Sequence, residues 1–217
     1  MGDAPRGKMK TLDEIVPAQA PQGAGVFCRL EDGRYLFALY DASQVEEGEG
    51  LILGRIGGQR QAGESWEDCV RREVQEETGC QAAVESSARC FFADAEGRVE
   101  EIAVEAEPRP VLISRQPAAG AVVPGGIYYN LLFWARVLGE PRPGPEIDAL
   151  VLLDEALLRE MAHSAPTLRE LTEKGAQMIL ARALEAEAPV RLGRSPRVLL
   201  ELLRRTGMAE TGRQAGS

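Results

Sequence analysis

The fold of this chain is decided by the stretch GQRQAGESWEDCVRREVQEETGC, which runs from Gly58 to Cys80. It predicts a helix whose two ends can be located. Ser65, followed three residues later by Asp68, resembles a capping box in which Asp replaces the usual Glu or Gln. Gly79 is typical of the left-handed residue that follows the last turn of a helix. We therefore expect a helix between Ser65 and Gly79.

A helical projection at about 100° per residue divides the side chains of this helix into two halves. The half predicted to face solvent is wholly polar and carries Glu67, Asp68, Arg71, Gln75 and Thr78. The half predicted to face inward carries Trp66, Cys69, Val70 and Val74, together with Glu73, Glu76 and Glu77. Acidic runs normally form a solvated surface, but carboxylates among apolar residues repel one another and cost stability if they stay unpaired.

A divalent cation is the compensation that this arrangement predicts, because a bound cation reverses the repulsion. Arg72, one turn before Glu76, is placed to orient or partly neutralise that carboxylate, and Glu64 adds a fourth acid at the helix start. Upstream, Gly57 and Gly58 allow a carbonyl or a phosphate to approach closely. Oxygen donors without a His or Cys cluster favour Mg²⁺ or Mn²⁺ over zinc. Since Mg²⁺ completes its shell with water and substrate phosphate, the pattern indicates phosphate chemistry.

At these residues the chain resembles a Nudix hydrolase. The family box is Gly, five residues, Glu, seven residues and then Arg-Glu-U-x-Glu-Glu-x-Gly-U, where U is a bulky aliphatic residue. Val74 fits the first U, whereas Cys80 departs from the last. Every charged and glycine position of the box is matched, by Gly58, Glu64, Arg72, Glu73, Glu76, Glu77 and Gly79.

The resemblance implies an α/β fold of the α/β/α sandwich type with a mixed β-sheet, and hydrolysis of a diphosphate linked to another moiety. The implied metal ligands are the carboxylates of Glu73, Glu76 and Glu77 and the carbonyl of Gly58. It also implies that Arg72 steadies the cluster and that Glu64 supports the loop or an outer ion. A water activated by the metal attacks phosphorus and a glutamate takes its proton, so the candidate catalytic residues are Arg72, Glu73, Glu76 and Glu77.

Two residues outside the box are also informative. Glu146 lies just before a predicted strand, where related enzymes often carry another metal-binding or base glutamate; the alternative is an ordinary turn carboxylate. His163 is the only histidine and is predicted to be exposed near a helix end. A Ser-His-Asp or Cys-His mechanism therefore has little support, and no substrate-binding residue is identified.

Composition limits the class of protein. A chain of 217 residues fits one domain with extensions. Its net charge of −9, without a long basic run, disfavours nucleic acid or a membrane surface as a partner. Residues Met1–Lys10 lack a hydrophobic secretory core, and the four cysteines sit singly in apolar patterns that favour reduced core residues over the alternatives of disulfides or a zinc site. We therefore expect a cytoplasmic protein, and the resemblance to Nudix hydrolases implies that its partner is a small nucleotide.

Three segments are predicted along the chain: a flexible or loosely docked lead-in over 1–24, a Nudix domain over 25–160, and a C-terminal helical extension over 161–217 with a disordered end. Within the domain, 95–126 is longer than the connection that the family usually has. It is either an added hairpin arm, serving as a dimer contact or substrate lid, or a mobile surface insertion. Strands are predicted at 25–30, 34–40, 51–54, 89–92, 127–137 and 149–153.

The tail is predicted to form two helices over 167–205, the second beginning at Ser195 and Pro196. The second helix has an apolar stripe that must be buried, made of Val198, Leu199, Leu202 and Leu203. Packing on the domain is preferred, and a subunit interface in a homodimer is the alternative.

The leading functional hypothesis is Mg²⁺-dependent hydrolysis of a diphosphate linkage in a nucleoside diphosphate derivative. ADP-ribose or a nucleotide sugar is the first choice, because the lead-in and tail resemble nucleotide-sugar members more than minimal enzymes that remove modified nucleoside triphosphates. A sanitising pyrophosphatase for such triphosphates is the alternative within the class. A non-catalytic, nucleotide-sensing regulatory domain is the alternative of another class.

Overall fold

The computed structural model describes residues 9–41, 49–117 and 126–206. In chain order, the elements are β1 (Lys10–Thr11), α1 (Leu12–Ile15), β2 (Gln22–Arg29), β3 (Tyr35–Asp41), β4 (Leu51–Gly54), β5 (Ile56–Gln59), α2 (Trp66–Thr78), β6 (Gln81–Glu85), β7 (Cys90–Ala93), β8 (Val99–Ile102), β9 (Val104–Glu105), β10 (Leu112–Pro117), β11 (Ile127–Leu138), β12 (Ala149–Leu153), α3 (Glu155–Met161), α4 (Leu168–Glu173), β13 (Gln177–Leu180), β14 (Val190–Leu192) and α5 (Arg194–Thr206). No helix of this described part is long and apolar enough to cross a membrane.

The chain forms two compact units. The first comprises the described parts of Met1–Val26, Ile56–Glu76 and Cys80–Gly139. The second comprises the described parts of Phe27–Arg55, Glu77–Gly79 and Glu140–Ser217. The division falls within β2 and within α2, so residues of the predicted helix are assigned to both units.

The first unit is organised around β11. This strand pairs antiparallel with β10 and with β6, while β10 runs parallel to β7 and β7 pairs antiparallel with β8. The start of β2 pairs antiparallel with β5, and the short β1 runs parallel to β9. Phe91, Ile113, Leu131 and Phe133 are fully buried and form part of its core.

The second unit is organised around β3 and β12. These strands pair antiparallel with each other, and β3 also pairs antiparallel with β4 and with the end of β2. β13 lies antiparallel to β12, and β14 lies parallel to β4. Helix α5 contacts α3, β4 and β14. Phe37, Leu53, Leu150 and Leu199 are buried in the core of this unit.

The predicted α/β class with a mixed sheet is confirmed, because parallel and antiparallel pairs occur together with helices. The predicted β2–β3 hairpin is present, with Cys28 opposite Leu36 and Gly33 at a φ of 88° in its turn. The predicted strand at 127–137 is β11, which pairs with β10 along its first half and with β6 along its second half and is buried over residues 129–133.

Part of the lead-in has regular structure. Residues 1–8 lie outside the described residues. Thr11 and Glu14 form a capping box at the start of α1, β1 pairs with β9, and Ala24 in β2 is fully buried. Strand pairing and a local cap therefore hold residues of the segment 9–24, although its composition is rich in Pro and Gly.

Residues 95–126 contribute strands to the sheet of the first unit. β8 pairs antiparallel with β7 as a hairpin at the edge of the sheet, and β10 lies between β7 and β11 with Leu112 and Ile113 almost fully buried. Both strands fall in segments that are strand-like in sequence, and a role of 95–126 as a dimer contact or substrate lid stays a prediction. Residues 118–125 lie outside the described residues.

The C-terminal segment is not purely helical. Two helices are present, α4 and α5, but β13 and β14 separate them, and α5 begins at Arg194 rather than Ser195. The apolar stripe of α5 is buried within the second unit, which confirms the preferred packing on the domain. The predicted disordered end, 207–217, lies outside the described residues.

Candidate functional site

Helix α2 has the predicted ends. The Asp68 amide donates to the Ser65 Oγ at 3.0 Å, which caps the first turn, and the Ser65 hydroxyl donates to the Asp68 carboxylate at 2.7 Å. Gly79 follows the last turn with a φ of 67°, in the left-handed region that glycine adopts without strain. The cap and the terminal glycine therefore fix the position of the box carboxylates along the helix.

Arg72 is the centre of a carboxylate cluster in the first unit. Its Nε donates to Glu64 Oε1 at 2.8 Å. Its Nη1 donates to Glu73 Oε1 at 2.7 Å and to Glu76 Oε2 at 3.0 Å. Its Nη2 also donates to the carbonyl of Gln59 at 3.1 Å. One guanidinium thus joins three of the four predicted acids and ties them to the end of β5.

Glu64 is the most constrained of these acids. Its side chain is only 12% exposed, and its Oε2 accepts from the Gln61 amide at 2.9 Å as well as from Arg72. The hydrogen bond from Arg72 is the main reason that the pKa of Glu64 falls to about 2. Glu64 is therefore ionised at neutral pH and connects the loop before α2 to the helix.

Gly57 and Gly58 have to be glycines, because neighbouring atoms lie where a side chain would begin. A Cβ on Gly58 would lie 2.5 Å from both carboxylate oxygens of Glu73, and a Cβ on Gly57 would lie 2.3 Å from the Cα of Gly25. Gly57 also has a φ of 138°. The absent side chain of Gly58 gives the Glu73 carboxylate its place against the backbone of β5.

Glu77 belongs to the second unit, where both its carboxylate and its backbone carbonyl accept hydrogen bonds. Its Oε1 accepts from the Tyr40 hydroxyl at 3.2 Å, and its backbone carbonyl accepts from the Gly144 amide at 2.9 Å. Sequence reasoning missed Tyr40 and Gly144. Neither belongs to a motif, and an aromatic residue in a strand is ordinarily a core residue.

Glu146 is exposed in a turn of the second unit, two residues after Gly144. The Gly144 carbonyl accepts from the Ile147 amide at 3.2 Å, so the backbone around Glu146 is fixed on the loop that contacts Glu77. The role of Glu146 as a ligand or base stays a prediction. His163 is exposed, as predicted.

The helical projection was wrong for two residues. Glu73 is buried and Glu77 is half-buried, but the side chain of Glu76 is 58% exposed. Its flexible side chain reaches along the helix surface to Arg72 instead of inward. Thr78, predicted on the solvent face, is fully buried, because the chain returns over the helix end and the Arg142 amide donates to its carbonyl at 2.8 Å.

The box carboxylates and the Gly58 carbonyl are the oxygen donors that a divalent cation would need. Within the described residues, no group of three or more His, Cys, Asp or Glu side chains is arranged to hold a metal. The carboxylates of Glu64, Glu73 and Glu76 are instead turned to Arg72. The donor chemistry nevertheless fits Mg²⁺, which takes carboxylate and carbonyl oxygens, and the Gly58 backbone leaves space for the Glu73 carboxylate beside it.

A cavity of about 370 Å³ lies in the first unit, at the N-terminal end of α2. Four acidic residues line it, Asp13, Glu67, Glu105 and Glu107. No residue of the Arg72 cluster lines it, so this cavity is not part of that cluster.

Comparison with known proteins gives a family match. The model of the NUDIX domain matches residues 20–171, a range that begins before and ends after the predicted domain of 25–160. None of the curated proteins matches the chain. Similar solved structures include a NUDIX hydrolase from Nitrosomonas europaea, with 17% identity, 65% of this chain and 77% of that chain covered, and a TM-score of 0.44. Others are the MutT protein from Methanosarcina mazei Go1 (15% identity, 88% and 98% covered, TM-score 0.47) and an ADP-ribose pyrophosphatase from Streptococcus suis 89-1591 (14% identity, 63% and 75% covered, TM-score 0.38).

Proposed function

The chain belongs to the Nudix hydrolase family, and from this premise we propose that it hydrolyses a diphosphate linkage in a nucleoside diphosphate derivative with the help of Mg²⁺. Mn²⁺ is the expected substitute. The observation that carries the proposal is the Arg72 cluster, in which one guanidinium gathers Glu64, Glu73 and Glu76 beside the bare backbone of Gly58. Such a concentration of carboxylates is typical of a cation site for phosphate chemistry.

The residues that would hold the metal are Glu73, Glu76 and Glu77, with the Gly58 carbonyl and with Glu146 as a further candidate. When bound, Mg²⁺ supplies neutralisation of the diphosphate charge and lowers the pKa of a water. To hold the cation, Glu76 would give up its 3.0 Å ion pair with Arg72. Since an exposed ion pair contributes only about 0–1 kcal/mol, this would cost little free energy.

The other residues of the cluster position the ligands. Arg72 Nη1 pairs with Glu73 Oε1 at 2.7 Å and orients it, and Glu64 Oε1 pairs with Arg72 Nε at 2.8 Å and orients the guanidinium. Glu64 is 12% exposed, whereas Glu76 is 58% exposed. We therefore assign Glu64 a supporting role and the exposed Glu76 a direct role toward metal and substrate.

ADP-ribose or a nucleotide sugar is the first substrate to be tested. The alternative within the class, a modified nucleoside triphosphate, has the same diphosphate chemistry. A nucleotide-sensing domain without turnover is the alternative of another class, and the complete set of box carboxylates disfavours it. The four cysteines all lie within the described residues and are buried thiols without a disulfide, which supports the proposed cytoplasmic location.

The test is a panel of ADP-ribose, nucleotide sugars and modified nucleoside triphosphates, each with Mg²⁺ or Mn²⁺. We expect phosphate-ester products from wild type. We expect a loss of at least roughly a hundredfold in E76Q and E77Q, because changes outside the ligand shell already cost 10–100-fold. Product analysis by chromatography with a phosphate-release assay measures both.

E67Q is the matched control, because Glu67 lies on the same helix and forms an exposed ion pair with Arg71. It should retain wild-type activity. Tight nucleotide binding without product across the panel would contradict catalysis and support the sensing function. Equal activity of E76Q, E77Q and wild type would contradict the assignment of the box glutamates.

A further inference from the structure

Tyr40 makes a polar contact with Glu77 that no box motif contains. Its hydroxyl lies 3.2 Å from Glu77 Oε1 and 3.2 Å from the carbonyl of Arg55. All three residues belong to the second unit. A strand tyrosine is thus placed between a proposed metal ligand and the backbone that leads into β5.

The two contacts compete for one proton. A tyrosine hydroxyl has a single hydrogen to donate, and both neighbours are acceptors. An ionised carboxylate accepts a stronger hydrogen bond than a neutral carbonyl does. The hydroxyl therefore donates mainly to Glu77, and this bond restricts the rotation of the Glu77 side chain.

The ring of Tyr40 is held in place by the strand beside it. β3 pairs with β4 so that Ala38 lies opposite Gly54. A Cβ on Gly54 would lie 2.8 Å from Cε2 of the Tyr40 ring and 3.3 Å from its Cδ2. Gly54 thus provides the space in which the ring lies, and the position of the hydroxyl depends on that space.

Glu77 is fixed at its backbone as well. Its carbonyl accepts from the Gly144 amide at 2.9 Å. With the backbone set by Gly144 and the carboxylate set by Tyr40, Glu77 loses little further rotational freedom when it binds a cation. A ligand that is ordered before binding gives a higher affinity than one that must be ordered during binding.

We propose that Tyr40 is a positioning residue, which orients the Glu77 carboxylate for the divalent cation through its hydroxyl and through the space left by Gly54. This inference rests on the proposed function, because it assumes that Glu77 binds the metal. Tyr40 acts through Glu77 and has no contact with substrate in this role.

The test compares Y40F with wild type in two measurements. Mn²⁺ affinity is followed by the loss of the free-ion EPR signal, without substrate, and kcat and KM are measured on the best substrate of the panel. We expect Y40F to bind Mn²⁺ roughly tenfold more weakly, as changes in the outer shell of a metal site commonly do. We also expect the change in activity at limiting metal to lie in kcat rather than in KM.

Two further variants separate positioning from general stability. G54A keeps the hydroxyl but displaces the ring, so it should weaken Mn²⁺ binding in the same direction as Y40F. Y35F removes a hydroxyl from the same strand at a buried tyrosine and should bind Mn²⁺ as wild type does. The thermal unfolding midpoint of Y40F should stay close to that of Y35F.

The outcomes distinguish this inference from the proposed function. If wild type binds Mn²⁺ and hydrolyses substrate, and Y40F equals it in both measurements, the role of Tyr40 is overturned and the proposed function stands. Wild type that binds Mn²⁺ without hydrolysing any substrate overturns the proposed function, while the Mn²⁺ titration of Y40F still decides the role of Tyr40. Wild type that binds no Mn²⁺ overturns both.

Discussion

Arg72 carries one positive charge and contacts three carboxylates of the first unit. These contacts are not equivalent, because Glu64 is shielded from solvent whereas Glu76 is largely exposed. Solvent screening weakens exposed ion pairs. We therefore infer that Glu64 is the permanent partner of Arg72 and that Glu76 is the one that exchanges.

The pKa of Glu64 gives a prediction about acid stability. Its value falls from 4.5 to about 2, mainly because Arg72 donates to it. Since the folded pKa lies below the unfolded one, ionised Glu64 stabilises the fold above about pH 4.5, and this contribution is lost as the pH falls toward 2. We expect it to amount to at most about 3 kcal/mol. Urea unfolding of wild type and E64Q at a series of pH values measures it.

The expected result is that the free energies of unfolding of wild type and E64Q converge as the pH falls. E67Q is the control, because Glu67 pairs with Arg71 on the exposed surface of the same helix, and its curve should follow wild type. A constant difference between wild type and E64Q over the whole pH range would show that Arg72 does not stabilise ionised Glu64.

Among the elements, α2 was predictable because its signals are local. Ser65, Asp68 and Gly79 fix its ends, and the box spacing fixes its carboxylates. The projection failed at Glu76 and Thr78, because a side chain can turn along the helix surface and a loop distant in sequence can cover a helix end. The contact of Glu76 with Arg72 is local and was predicted, whereas the covering of Thr78 depends on Arg142, which the projection does not include.

The strands β13 and β14 were not predicted, for a different reason. They lie in a segment that was predicted to be helical, and periodicity alone does not distinguish runs of four and three residues from part of a helix. Each exists because a longer strand offers it a partner, β12 for β13 and β4 for β14. Tyr40 was missed for the same kind of reason, since its contact with Glu77 joins residues 37 positions apart.

The packing of helix α5 gives a prediction about the free energy of unfolding. Leu199 is fully buried in the stripe that packs within the second unit, whereas Leu200 is only partly buried. We expect L199A to lower the free energy of unfolding by about 2–5 kcal/mol, through lost burial and the cavity left behind. L200A is the matched control and should cost clearly less. Chemical denaturation measures both, and equal losses would contradict the packing of the stripe.

At the scale of the whole molecule, the C-terminal segment is part of the second unit rather than an appendage. It supplies β13 to β12, β14 to β4 and the apolar face of α5. The matched family range ends at residue 171, before these elements. These elements, which complete the core of the second unit, therefore lie outside the matched range.

The segment limits predicted from sequence can be tested by truncation. A chain that ends at residue 160 loses β13, β14 and α5, and it exposes the apolar side chains of β4 and β12 that they cover. We expect it to be insoluble or to unfold without a cooperative transition, because the buried residues Val190, Leu192, Leu199, Leu202 and Leu203 are all lost and net stability is small compared with the total burial that supports it. A chain that ends at residue 206 keeps all three elements and should unfold cooperatively as the full chain does. Circular dichroism during heating measures the transitions, and a cooperative transition in the chain that ends at 160 would show that the Nudix domain is complete without its C-terminal segment.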